Sequence, residues 1–275
     1  MSNPILNDAN FEKAAQQPGW GAPNPATRNQ PAPGTPFGPP ITDGPVSPWT
    51  AAGPTMTVGG TLTATAVLFV ILLISAAFGW QAVDQTNPQL PGLALAGIAV
   101  GFICVIAMMF KPMLAKFLGP IYAIAQGFVV GAVSAFYESQ WNGIVIQAVG
   151  ATLGVFLVML VLYRTRIIRV TNKFRRVIIA ATLGLMVFYL FSFVLSLFGT
   201  DIGIFSSSSF FGIAFSVFAA GLAAFNLMLD FDFIEKGSEQ GLPKGMEWVG
   251  AFGLLVTIVW LYLEMLRLLA KLQNR

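Results

Sequence analysis

Asn226-Leu227-Met228-Leu229-Asp230-Phe231-Asp232-Phe233-Ile234-Glu235 closes an apolar stretch that begins at Phe210, and Leu261-Tyr262-Leu263-Glu264-Met265-Leu266-Arg267 lies inside the last one, Trp248 to Leu272. Both stretches have the length of a lipid-crossing helix, about 20 residues for a hydrocarbon core about 30 Å thick. Both also carry carboxylates, which cost about 2.5–3.5 kcal/mol each at the centre of a spanning helix. Acids kept at that cost mark an ion path, a proton relay or a paired structural site. The rest of the chain reads as the container for them.

Composition sets the class. Of 275 residues 56% are hydrophobic and 10% charged, and the mean hydropathy is +0.73. A soluble domain has about a quarter of its residues charged, so this is a polytopic membrane protein. Seven apolar runs follow one another, at about 57–80, 93–110, 119–137, 144–163, 177–198, 210–235 and 248–270. None alternates like a barrel strand. Backbone in lipid must satisfy its own hydrogen bonds, so the runs are helices and the fold class is an all-α seven-helix bundle.

Before them, residues 1–55 hold most of the 17 prolines, with Gly, Ala, Asn and Thr between. This segment has no apolar periodicity and reads as a disordered, solvated tail, or alternatively as a proline-rich docking segment. It lacks the basic start and apolar core of a signal peptide. The domain division is therefore 1–55, tail, and 56–275, membrane domain.

Several chemistries are closed off. The chain has no histidine and a single cysteine, Cys104, within an apolar run. Ser-His catalysis, His-ligated zinc and intrachain disulfides are thereby excluded. The basic residues lie between spans and not on a soluble face interleaved with aromatics, so no nucleic acid partner is expected.

Loop charges orient the bundle. Lys111 and Lys116, then Arg164, Arg166, Arg169, Lys173, Arg175 and Arg176, then Lys236 and Lys244 fall in alternate loops. The loops between those hold Asp84, Glu138 and Asp201. The bias toward positive charge inside puts the N-terminus in the cytoplasm. Arg267, Lys271 and Arg275 oppose it if the seventh segment spans fully. A re-entrant last segment and a full span overridden by the basic loop both stay open. The Arg164–Arg176 cluster reads first as a topology determinant and second as a seat for anionic lipid headgroups. Gly127 with Gly131, and Gly150 with Gly154, are small-residue pairs that let helices approach closely.

Helical rotation sorts the acids. Asn226 and Asp230 share a face at i, i+4 and point into the bundle; Asp232 and Glu235 share another, toward the basic loop. Glu264, Arg267 and Lys271 share a face of the last segment. Carboxylates and an amide meeting across helices make an all-oxygen site for calcium or a shared proton. The alternative is that Asp230, Asp232 and Glu235 mark the wet end of the sixth span, with Glu264–Arg267 an interfacial ion pair. The two readings stand side by side.

Three stretches resemble the Bax inhibitor family in its bacterial form: Pro120-Ile-Tyr122-Ala-Ile-Ala-Gln126-Gly127-Phe-Val-Val-Gly131-Ala-Val-Ser134, Asn226-Leu-Met-Leu-Asp230, and Leu261-Tyr262-Leu263-Glu264. The resemblance covers about residues 56–272. It implies a last helix at the centre of six others and a pH-sensitive, calcium-permeable leak channel or cation/proton exchanger in the plasma membrane. It implies further that Asp230 and Glu264 form the gating and calcium-holding pair, with Asn226 and Asp232 beside them. Lys111 is the loose counterpart of the family's latching base, and Arg267 is the other candidate counter-charge. The second acid is Glu where the family has Asp, the acids lie further apart, and Gln126 stands where many relatives have Glu. Calcium or protons and membrane lipid are the expected partners, and no cofactor is expected. The rival is a non-transporting regulator that binds another membrane protein. An intramembrane enzyme finds no support in the residues.

Overall fold

The computed structural model describes residues 54–84, 91–198 and 209–274. Seven helices are long and apolar enough to cross a membrane. In chain order they are α1 (Val58–Gln81), α2 (Gly92–Phe110), α3 (Ala115–Gln140), α4 (Ile144–Arg164), α5 (Asn172–Leu197), α6 (Phe210–Glu239) and α7 (Met246–Gln273). A short 3-10 turn, Pro112–Leu114, leads into α3. Residues 1–53 of the proline-rich tail and the loop acid Asp201 lie outside the described residues, as does Arg275.

The helices start where side chains supply what the first backbone N–H groups lack. The Thr57 hydroxyl accepts from Gly60, that of Thr171 from Phe174, and that of Ser209 from Gly212. At the α3–α4 corner Glu138 accepts from the amides of Gly143 and Val145 at 2.6 and 3.1 Å. The one acid of that loop therefore caps the next helix.

The helices run past the apolar runs at several ends. α3 begins at Ala115 and not near 119, α5 at Asn172 and not near 177, and α6 continues to Glu239. The turns added to α5 and α6 are mostly polar, whereas the one added to α3 has Lys116 among apolar residues; in each the backbone ladder simply continues.

The last helix is the hub. It packs on α1, α3, α4 and α6, and more than half of its span is buried, the largest share of the seven. Leu255, Leu261 and Leu266 are fully buried along it. α1 packs most extensively on α3. There, a methyl group at Gly127 or Gly131 would overlap the carbonyl oxygens of Leu72 and Ala76. Gly150 and Gly154, by contrast, have nothing within 4 Å of where a Cβ would stand. Of the two glycine pairs, only the first is a helix–helix seam.

α7 is one continuous helix of 28 residues, about 42 Å long at 1.5 Å per residue. Its start meets the start of α1, where Glu247 accepts from the Thr57 amide and hydroxyl at 3.1 and 3.0 Å. Its end meets the start of α6, where the Lys271 ammonium donates to the Gly212 carbonyl and the Ser216 hydroxyl at 3.0 and 2.9 Å. The last segment is thus a full-length helix and not a re-entrant one. The physical reason it tolerates its basic residues is that Lys271 is buried in the bundle and Arg267 is ion-paired there. Neither behaves as a loop charge.

Candidate functional site

The end of the bundle that gathers the α4–α5 loop and the α6–α7 loop is basic; it is called the basic end below. Asp232, about two turns before the end of α6 at 3.6 residues per turn, is buried. Two cations hold it: the Arg175 guanidinium of α5 and the Lys236 ammonium one turn on, 2.7 Å from Oδ1. Glu235 accepts from the Tyr163 hydroxyl of α4 and faces Arg166 at 3.9 Å. These two acids tie α6 to α4 and α5.

Further into the bundle Glu264 is 1% exposed and fully surrounded by donors. The Arg267 guanidinium donates to both of its oxygens at 3.0 Å. The Tyr189 hydroxyl of α5 donates at 2.7 Å and the Trp260 indole N–H at 3.2 Å. Arg267 also lies over the Tyr189 ring, 5.4 Å from its centroid. A carboxylate away from water needs this combination of counter-charge and hydrogen bonds to remain charged. The α7 residues come from helical spacing, Trp260 at i−4 and Arg267 at i+3, whereas Tyr189 arrives from another helix.

Asp230 differs from both. It packs against α7, its Oδ1 3.3 Å from where a Cβ on Gly253 would stand, and within reach of the Thr257 hydroxyl. Its Oδ2 is shut off from solvent and has no hydrogen-bond partner. Asn226, one turn away, is spent elsewhere: its amide donates to the Thr182 hydroxyl of α5 at 2.8 Å and to the Leu222 carbonyl at 2.9 Å.

The structure therefore places the sequence candidates in three separate settings. Asp232 sits with Lys236 and Arg175 at the basic end, Glu264 with Arg267 deep in the bundle, and Asp230 between them against α7. Asp230 and Glu264 are not brought together. Thr257, which Asp230 faces, precedes Glu264 by seven residues, about 10 Å along the axis. Lys111 lies exposed between α2 and the 3-10 turn and makes no ion pair among the described residues. Among the described residues no three of His, Cys, Asp and Glu form a group able to hold a metal ion. Calcium takes about six to eight oxygens, and this conformation does not assemble them around Asp230 and Glu264.

Sequence reasoning missed Arg175, Tyr163, Tyr189 and Glu247. The Asp232–Lys236 pair was open to it through i, i+4 spacing. The others reach across helices, and no local spacing announces such contacts.

No curated protein and no solved structure matches the chain significantly. A family model described as Bax inhibitor 1 like matches residues 3–274, nearly the whole chain, and this multi-pass membrane protein belongs to that family.

Proposed function

We propose that the chain is a pH-sensitive, calcium-permeable leak or cation/proton exchanger of the plasma membrane, N-terminus in the cytoplasm, and not an enzyme. The observation that supports this reading best is the contrast between Asp230, buried with an oxygen that nothing satisfies, and Glu264 and Asp232, each neutralised by internal cations. Asp230 is the carboxyl free to take a proton or a cation without first breaking an ion pair. Glu264–Arg267 is the latch. In this reading Arg267, and not Lys111, supplies the competing counter-charge.

In this reading protonation of the acids, or capture of a carboxylate by the base, shifts the bundle between closed and open. The other titratable groups around Glu264 are Tyr189 of α5, Tyr137 of α3 and Lys271 of α7.

The test is calcium flux into dye-loaded proteoliposomes at pH 6 and pH 8. The wild-type chain should leak to different extents at the two values. Asp230→Asn with Glu264→Gln should abolish the difference between the two values. Asp230→Asn alone should lower flux at both values, since it removes the unsatisfied carboxyl oxygen. A chain with both substitutions that still leaks and responds to pH normally would sink the proposal.

A further inference from the structure

At the basic end, between the α4–α5 loop and the last turns of α6, lies a cavity of about 450 Å³. Arg164, Arg166, Arg169 and Lys236 line it, with Ile168 and Val170 as apolar wall. Its acids are Asp232, Glu235 and Glu239. Two of those are already engaged: Asp232 by Arg175 and Lys236, Glu235 by Tyr163 and, loosely, Arg166. Arg164 and Arg169 make no ion pair among the described residues. The cavity thus presents two unengaged guanidinium groups and a third held only at 3.9 Å.

Arg166 itself has φ 55°, the one positive φ outside glycine among the described residues. That left-handed backbone costs an ordinary side chain roughly 1–2 kcal/mol, and single Gly or Asn residues adopt it more readily. An arginine held there against this preference lines the cavity. Several guanidinium groups around one space match the planar, two-pronged recognition of phosphate oxygens.

The surroundings say where the phosphate comes from. Val161, one turn before Arg164 on α4, is 56% exposed, and Val177 near the start of α5 is 64% exposed, so exposed apolar surface begins on both helices close to the loop that lines the cavity. Ile167, in the loop between two of the arginines, is 70% exposed. An apolar side chain among cations at a helix end suits the bilayer interface, where acyl chains and charged headgroups meet.

We infer that this cavity binds a phosphate group at the membrane boundary, carried by an anionic phospholipid or by a soluble phosphate compound. The arginines would clasp the phosphate, while the valine faces would lie along acyl chains if the carrier is a lipid. The site needs no calcium flux, so its test is independent of the transport reading.

The full-length chain in neutral detergent is titrated separately with short-chain phosphatidylglycerol, with phosphatidylcholine and with inorganic phosphate. Bound adducts are read by native mass spectrometry and melting temperature by light scattering. Saturable phosphatidylglycerol binding that phosphatidylcholine does not reproduce assigns the lipid source, and comparable binding of inorganic phosphate assigns the soluble one. In either case Arg164→Gln with Arg169→Gln should weaken binding at least tenfold. Lys111→Gln with Lys116→Gln removes equal charge from the same end without touching the cavity and should leave binding unchanged. Equal loss in the two double variants, or no saturable binding of either anion, overturns the site.

Discussion

Glu264 shows how a buried acid is kept. It is held by Arg267, Tyr189 and Trp260, so removing the guanidinium strands a carboxylate that is 1% exposed. Breaking a buried ion pair from one side costs about 3–5 kcal/mol, whereas removing both charges costs much less. Arg267→Gln should therefore lower the melting temperature of the solubilised chain by several degrees, and adding Glu264→Gln should recover more than half of the loss. Simple additivity of the two losses would show that the pair contributes no coupling. The i, i+3 relation of Glu264 and Arg267 was readable in the sequence. Burial and the tyrosine from α5 were not, because they depend on how α5 lies against α7.

At the scale of helices, the seam between α1 and α3 is set by Gly127 and Gly131, where carbonyl oxygens of α1 occupy the space a side chain would need. Gly131→Leu should destabilise by at least the roughly 1–3 kcal/mol of core overpacking, and reduce the monodisperse fraction on size exclusion. Gly154→Ala, with nothing within 4 Å of its Cβ position, should stay within about 0.5 kcal/mol of wild type. The two GxxxG pairs look alike in sequence. They differ because a helix face becomes a seam only when another backbone lies on it.

At the scale of the molecule, the short strand-like segment after the tail joins the membrane domain at its acid-bearing hairpin. The Met56 amide donates to the Leu242 carbonyl at 2.7 Å and the Lys244 amide to that of Pro54 at 3.1 Å, with Met56 buried. The first and last helices thus begin together, and α7 then runs the full depth of the bundle. With Cys104→Ser as background, Lys244→Cys and Asn274→Cys should react with a membrane-impermeant maleimide from opposite sides of a sealed vesicle. Labelling of both from one side would contradict a spanning α7.

While three short stretches, around Gln126, Asp230 and Glu264, carried the family resemblance, composition and the seven apolar runs by themselves determined the class and the helix count, because lipid permits so few backbone solutions and the runs are long. They also singled out Asp230, Asp232 and Glu264, since charge in an apolar run stands out against its neighbours. Only the tertiary structure decided what each acid faces: two cations for Asp232, a guanidinium and two aromatic donors for Glu264, and for one oxygen of Asp230 nothing. It also decided that Lys271 is buried in the bundle and that Arg267 is ion-paired there. The physical reason is one of range. Helix formation and lipid solubility are local properties of a segment, while the partner of a buried charge is chosen by the packing of helices distant in the chain.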